Sequence, residues 1–230
     1  MSLLSVGARA LLANQTALQT TGHNIANVST AGYSRQSVHL QTVQGQFSGS
    51  GYVGNGVNVA QWFIDNRPDG GKVAVIEGQP GVYAAGQRTA GFTETINASG
   101  KFEVVASVPA NWSREEAFNA ASTILQQYPD LIGFYANNDG MALGVVGAVK
   151  AAGKQDSVAV FGTDGVSDAY AAIKAGDLTG TVDSFPVLTG EIAMEVALRL
   201  LAGQDLPRVV ATPQALITKD NVETYATSDI

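Results

Sequence analysis

The chain contains no cysteine and only two histidines, His23 and His39. Without a thiol there is no disulfide framework, no thiolate zinc site and no cysteine nucleophile. With both imidazoles confined to the first forty residues, neither a metal centre nor a cofactor is expected. No apolar run approaches the ~20 residues that a membrane-spanning helix needs. The opening residues, Met1 to Arg9, lack the basic-then-apolar order of a secretory leader, so no Sec signal is expected there. Carboxylates are missing from the first 64 positions, where Arg9 and Arg35 are the only formal charges, and the 20 acidic residues all fall from Asp65 onward. The 13 basic residues form no clustered stripe and the net charge is −7. Phosphate neutralisation needs such a stripe, and nucleic acid is therefore not an expected partner.

What is present is a chain of 230 residues, 45% of them apolar and only 14% charged. That composition folds, and the length supports one large or two modest cores. The break in charge at Asp65 points to two segments. In the first, Leu4, Leu11, Leu18 and Ile25 recur every seven residues, which predicts a helix with one narrow apolar seam. Its polar face is Asn, Gln, Thr and Ser and offers no i,i+4 ion pairs, so it needs a partner: another helix, a second copy of the chain, or a face of its own domain. Turn formers from Asn27 to Gly32 end this helix, Ser37 to Val43 alternates as a strand, and the Gly/Ser-rich run from Gly45 to Gly56 reads as a loop or extended arm.

From Gly71 onward, short β-branched runs alternate with helical patterns of crossover length. Strands are predicted over Lys72–Glu77, Phe102–Val108, Leu131–Ala136, Ser157–Phe161 and Gly180–Asp183. Helices are predicted near Ala84–Ile96, Arg114–Gln127, Gly140–Ala152 and Ser167–Ala175. The fold class is α/β, a doubly wound parallel sheet preceded by an α-helical arm and a Gly/Ser-rich loop. Such sheets bind ligands beyond the carboxyl ends of their strands. Those ends carry Arg88 one helical turn beyond the first strand, Trp112 after the second, Asn137, Asn138 and Asp139 after the third, Asp164 after the fourth and Ser184 after the fifth. Arg and Asp offer fixed donors and acceptors to adjacent hydroxyls, Asn offers one of each, and an indole face packs the C–H side of a pyranose. Each residue also has an ordinary structural explanation: Asp164 as a turn residue, Asn138 or Asp139 as a helix cap, Trp112 as core. No general base stands beside a nucleophile, and a binder rather than an enzyme is expected.

Two resemblances add to this. Ala13 to Gln36, with its Asn24-Ile25-Ala26-Asn27 turn and its Gly32-Tyr33-Ser34-Arg35-Gln36 run, resembles the N-terminus of flagellar hook-associated proteins, and Gly54-Asn55-Gly56-Val57 continues the likeness. It implies half of a terminal coiled coil, flagellar subunits as partners and export by the flagellar apparatus. Gly71 to Gly78, Ala136 to Gly144 and Phe161 to Gly165 resemble the C-terminal lobe of type I sugar-binding proteins of ABC importers, the ribose and allose binders in particular, over about Gln61 to Val222. That likeness implies a periplasmic location, an ABC permease as partner and a pentose or hexose ligand. It implies ligand contacts at Arg88, Trp112, Asn138 and Asp164, with Ser184 where the family usually has Gln. The chain then reads as a chimera: residues 1–60 flagellar-like, residues 61–230 a sugar-binding lobe whose N-terminal companion is missing. Pro186 to Leu201, with Val187, Ile192, Val196 and Leu200 on one stripe, looks like a helix whose apolar face lacks its usual cover.

Overall fold

A computed structural model describes residues 51–207, 210 and 212–225. The Leu4–Ile25 seam and the Ser37–Val43 strand lie outside the described residues. The elements are α1 (Gly51–Asn66), β1 (Gly71–Glu77), α2 (Tyr83–Ala98), β2 (Phe102–Pro109), α3 (Arg114–Gln127), β3 (Leu131–Ala136), α4 (Asp139–Ala151), β4 (Ala159–Asp164), α5 (Ser167–Ala175), β5 (Gly180–Asp183), α6 (Pro186–Leu201), β6 (Ala215–Thr218) and α7 (Val222–Tyr225).

Strand alternation sorts the side chains onto two faces of one six-stranded sheet, ordered β2-β1-β3-β4-β5-β6. The first five strands pair in parallel, and β6 runs antiparallel to β5. Val73, Val75, Tyr135 and Phe161 point to one face, where Val59, Ala60 and Phe63 of α1 and Phe92 and Ile96 of α2 cover them. Ala74, Ile76, Phe134 and Val160 point to the other, under Ala121 and Leu125 of α3, Met141 and Val145 of α4, and Ile173 of α5. Burial on both faces is why these strands read as continuous apolar runs, and it makes the sheet doubly wound as predicted.

Three expectations are corrected. The Gly/Ser-rich arm is helical from Gly51, because Gly56, Val59, Ala60 and Phe63 recur at i, i+3, i+4 and i+7 and are all buried. Its glycines let α1 cross α2 closely: a Cβ on Gly56 would run into the backbone of Arg88 and Phe92, and one on Gly91 into that of Val53. The boundary expected at residue 60 therefore cuts through a helix that belongs to the lobe. Strand β4 spans Ala159–Asp164 rather than Ser157–Phe161, which makes Asp164 its last residue. Helix α6, by contrast, has the predicted bounds and buries none of its residues; Val187 and Leu200 of the predicted stripe are exposed, as are Met194, Leu198 and Leu201. Ile192 and Val196 of the predicted stripe are half-buried.

Candidate functional site

All the predicted site residues lie where the parallel strands end. Arg88 projects from the second turn of α2 and is 8% exposed. Its guanidinium donates from Nη2 to Asp164 Oδ1 at 2.9 Å and from Nη1 to the Asn137 carbonyl at 2.6 Å. Burying a guanidinium is costly unless it is paired, and these two bonds supply the pairing. Asp164 answers from the end of β4 with a side chain that is 39% exposed. Burial raises its carboxyl above the usual range, while the charge and hydrogen bond of Arg88 pull it back down.

The neighbouring Asn137 is fully buried and ties three elements together. Its Oδ1 accepts from Gly78 N at the end of β1 at 3.1 Å and from the Thr89 hydroxyl of α2 at 3.2 Å. Asn138, one residue on, caps α4: its Oδ1 accepts from Met141 N at 2.8 Å. The cap role that the sequence left open is therefore occupied, and the amide nitrogen is the part of Asn138 left to serve a ligand.

Trp112 follows β2 and packs half-buried against the α3–α4 side of the core. Its indole lies on Gly78 so closely that any Cβ there would collide with the ring. Ser184 follows β5, and its carbonyl accepts from the Thr189 hydroxyl at 3.0 Å. A chain of contacts thus runs from Trp112 through Gly78, Asn137 and Arg88 to Asp164. Ser184 sits beyond it, next to Asp183, whose carboxylate approaches Gly165 so closely that a Cβ could not fit.

Two further carboxylates shape this edge without being among the predicted contacts. Asp139, fully buried in the first turn of α4, accepts from Gly165 N at 2.8 Å, Val166 N at 2.9 Å and the Thr181 hydroxyl at 2.6 Å. It ties the loop that follows Asp164 to β5. Burial raises its carboxyl to about 7 even though the three donors favour the ionised form. Asp183 accepts from the Tyr170 hydroxyl at 2.8 Å and from Phe185 N at 2.7 Å. A polar residue inside an otherwise apolar helix start, as at Asp139, was the available signal for the first of these.

Among the described residues, the non-glycine positions with positive φ are Asn111 (49°), Trp112 (64°), Asp164 (122°) and Phe185 (46°). All four stand at the same edge of the sheet. Such backbone is held only where surrounding structure over-determines it, and it concentrates at ligand sites.

Tyr52 and Tyr83 were not singled out by the sequence. The Arg88 guanidinium carbon lies 5.6 Å from the centroid of the Tyr52 ring, and Tyr83 meets that ring edge-on at 6.3 Å. Tyr52 stands in the stretch read as loop, which hid it.

Residues 44–205 match the family model described as Periplasmic binding protein domain, and residues 4–33 match that of the Flagella basal body rod protein. The flagellar-like likeness thus falls on the segment expected to carry it. The chain is 38% identical over 142 residues to the D-allose-binding periplasmic protein of Escherichia coli (strain K12), covering 61% of this chain and 46% of that protein. It is 32% identical over 220 residues to the ribose import binding protein RbsB of Bacillus subtilis (strain 168), covering 94% and 71%. An ABC transporter periplasmic solute binding protein from Actinobacillus succinogenes 130z, solved with bound D-allose, superposes with a TM-score of 0.72 at 33% identity over 77% of this chain and 63% of that one. The chain therefore spans less than half of one relative and under two thirds of the solved structure. With the match running through both the helix α1 and the strand ends just described, the chain belongs to the Periplasmic binding protein domain family.

Proposed function

We propose that the lobe binds a monosaccharide, a pentose or hexose of the ribose or allose type, as a partial solute-binding component of an ABC importer acting in the periplasm. The observation that carries this reading is the strand-end arrangement of Arg88, Asp164 and Trp112: a donor–acceptor pair beside an indole, with Asn138 and Ser184 at its margins. The Arg88 charge is already matched by Asp164, which favours a neutral polyol over an anionic ligand. Trp112 offers its apolar surface to the C–H face of the sugar ring. The groups bind and orient, with no nucleophile activated by a neighbouring base, so the reading is of a binder and not an enzyme.

One lobe cannot surround a sugar and exclude water, so the dissociation constant of this chain is expected to be millimolar or weaker, about −4 kcal/mol at best. Titration of the isotope-labelled chain by NMR with ribose, allose, galactose, glucose and xylose tests this. Saturable shifts at Trp112 and Gly165 are the expected result, with the Gly165 shift lost in Trp112→Ala and both lost in Asp164→Ala. A chain that stays folded and shows no shift with any sugar at tens of millimolar overturns the reading.

A second reading rests on the match of residues 4–33: a structural flagellar protein that carries the lobe as a surface domain. Deletion of residues 1–30 separates the two, because this reading requires export and flagellar association to be lost with them.

A further inference from the structure

We infer that Tyr52, braced by Tyr83, is a second aromatic surface of the sugar site and determines its preference for ring-closed sugars. This rests on the reading of the lobe as a monosaccharide binder. Three observations lead to it.

The first is position. Trp112 packs with the cluster under α3 and α4, whereas Tyr52 and Tyr83 begin α1 and α2, whose buried residues cover the opposite face of the sheet. The strand ends at Gly78, Asn137 and Asp164 lie between these two layers, so aromatic side chains stand on both sides of the polar floor. The second is the contact with Arg88. The Tyr52 ring centroid lies 5.6 Å from the guanidinium carbon, which sets an aromatic ring directly beside the Arg88–Asp164 pair. The third is exposure. Tyr52 is 43% and Tyr83 63% exposed, although both are large aromatic side chains next to a buried charge. Their edge-to-face packing, with an interplanar angle of 79°, holds the Tyr52 ring in place while leaving apolar surface open.

An aromatic surface of this kind discriminates by shape. A pyranose or furanose presents a contiguous C–H face that packs flat on a ring, while an open-chain polyol offers the same hydroxyls without that face. Tyr52 therefore contributes to binding of cyclic sugars and little to binding of acyclic ones.

The test uses the full chain and compares allose and ribose with acyclic xylitol by NMR titration. Tyr52→Ala is expected to raise the dissociation constant for allose and ribose about tenfold, the loss of one stacking contact, and to change that for xylitol less than twofold. Tyr52→Phe, which keeps the ring, is expected to restore cyclic-sugar binding to within about twofold, and Tyr83→Ala to give a smaller loss of roughly threefold. An unchanged melting midpoint shows that Tyr52→Ala folds, and Tyr52→Leu serves as the second variant if it does not. Absence of sugar binding by the unaltered chain overturns the monosaccharide reading and this inference together. Binding that is lost in Trp112→Ala but unchanged in Tyr52→Ala overturns this inference alone, as does an equal loss for cyclic and acyclic ligands.

Discussion

Helices α4 and α6 are both strongly apolar and of similar length, yet α4 buries eight residues and α6 buries none. The difference lies in what surrounds them. Helix α4 is sandwiched against α3 and the sheet, and its N-terminus is tied down twice, by the Asn138 cap and by the bonds of Asp139 to the loop after β4. Helix α6 leaves the sheet after β5, starts from Phe185 in a left-handed conformation with Pro186 at its first position, and presents Met194, Leu198 and Leu201 to solvent. Apolar sequence is the same signal in both cases; only the partner determines whether it becomes stability.

Two methionines give the widest separation between these regions. Met141 in α4 is fully buried, while Met194 in α6 is 63% exposed. Met141→Ala is expected to cost about 2–5 kcal/mol in urea denaturation, and Met194→Ala to stay within about 0.5 kcal/mol of the parent. Equal costs would mean that something covers α6 in solution.

Glycines sharpen the contrast at lower amplitude. A Cβ on Gly144 in α4 would run into the carbonyl of Arg114, whereas one on Gly190 in α6 meets nothing within 4 Å. Gly144→Ala is expected to destabilise by about 1–3 kcal/mol because α3 must move away. Gly190→Ala is expected to stabilise by about 0.5–1 kcal/mol through helix propensity alone, and the same denaturation series reads both.

A further effect is a drift with pH. Asp139 titrates at about 7 in the folded chain, against about 3.9 for an unfolded aspartate, so the folded state holds its proton more tightly. The stability this supplies is present in full below about pH 4 and is lost as pH rises toward 7. Burial raises Asp164 and Asp183 in the same direction. Stability read by urea denaturation is therefore expected to fall between pH 5 and 7.5 by about 1 kcal/mol per pH unit, and to fall less in Asp139→Asn.

The contrast also marks how far the sequence could be read. Strands β3 and β5 and helices α3 and α5 have the predicted bounds, because each pairs a clear periodicity with a clear stop, such as the Ser113 cap or Gly176 at a φ of 81°. Helix α1 was hidden by residues that lower helix propensity, Gly54 and Gly56, of which Gly56 allows close passage over α2. Strand β6 has only four residues and was not predicted, since its pairing with β5 is a tertiary fact. The five candidate residues could be placed at one edge of the sheet because short apolar runs with clear stops make the strand ends legible. That Arg88 and Asp164 bind each other, and that Asn138 is spent on a cap, depends on distances that periodicity does not carry.

The pairing of β5 with β6 has a consequence for how the lobe tolerates change. Gly180 faces Thr218 and Asp183 faces Ala215, so the two strands form an antiparallel hairpin whose connection happens to contain α6. Register is set by those cross-strand partners rather than by the length of the connection, and closure entropy rises only slowly with loop length. Helix α6 is therefore a cassette: with Ser184 and Phe185 kept in place, helices of other lengths are expected to fit there without re-indexing the sheet that holds the site.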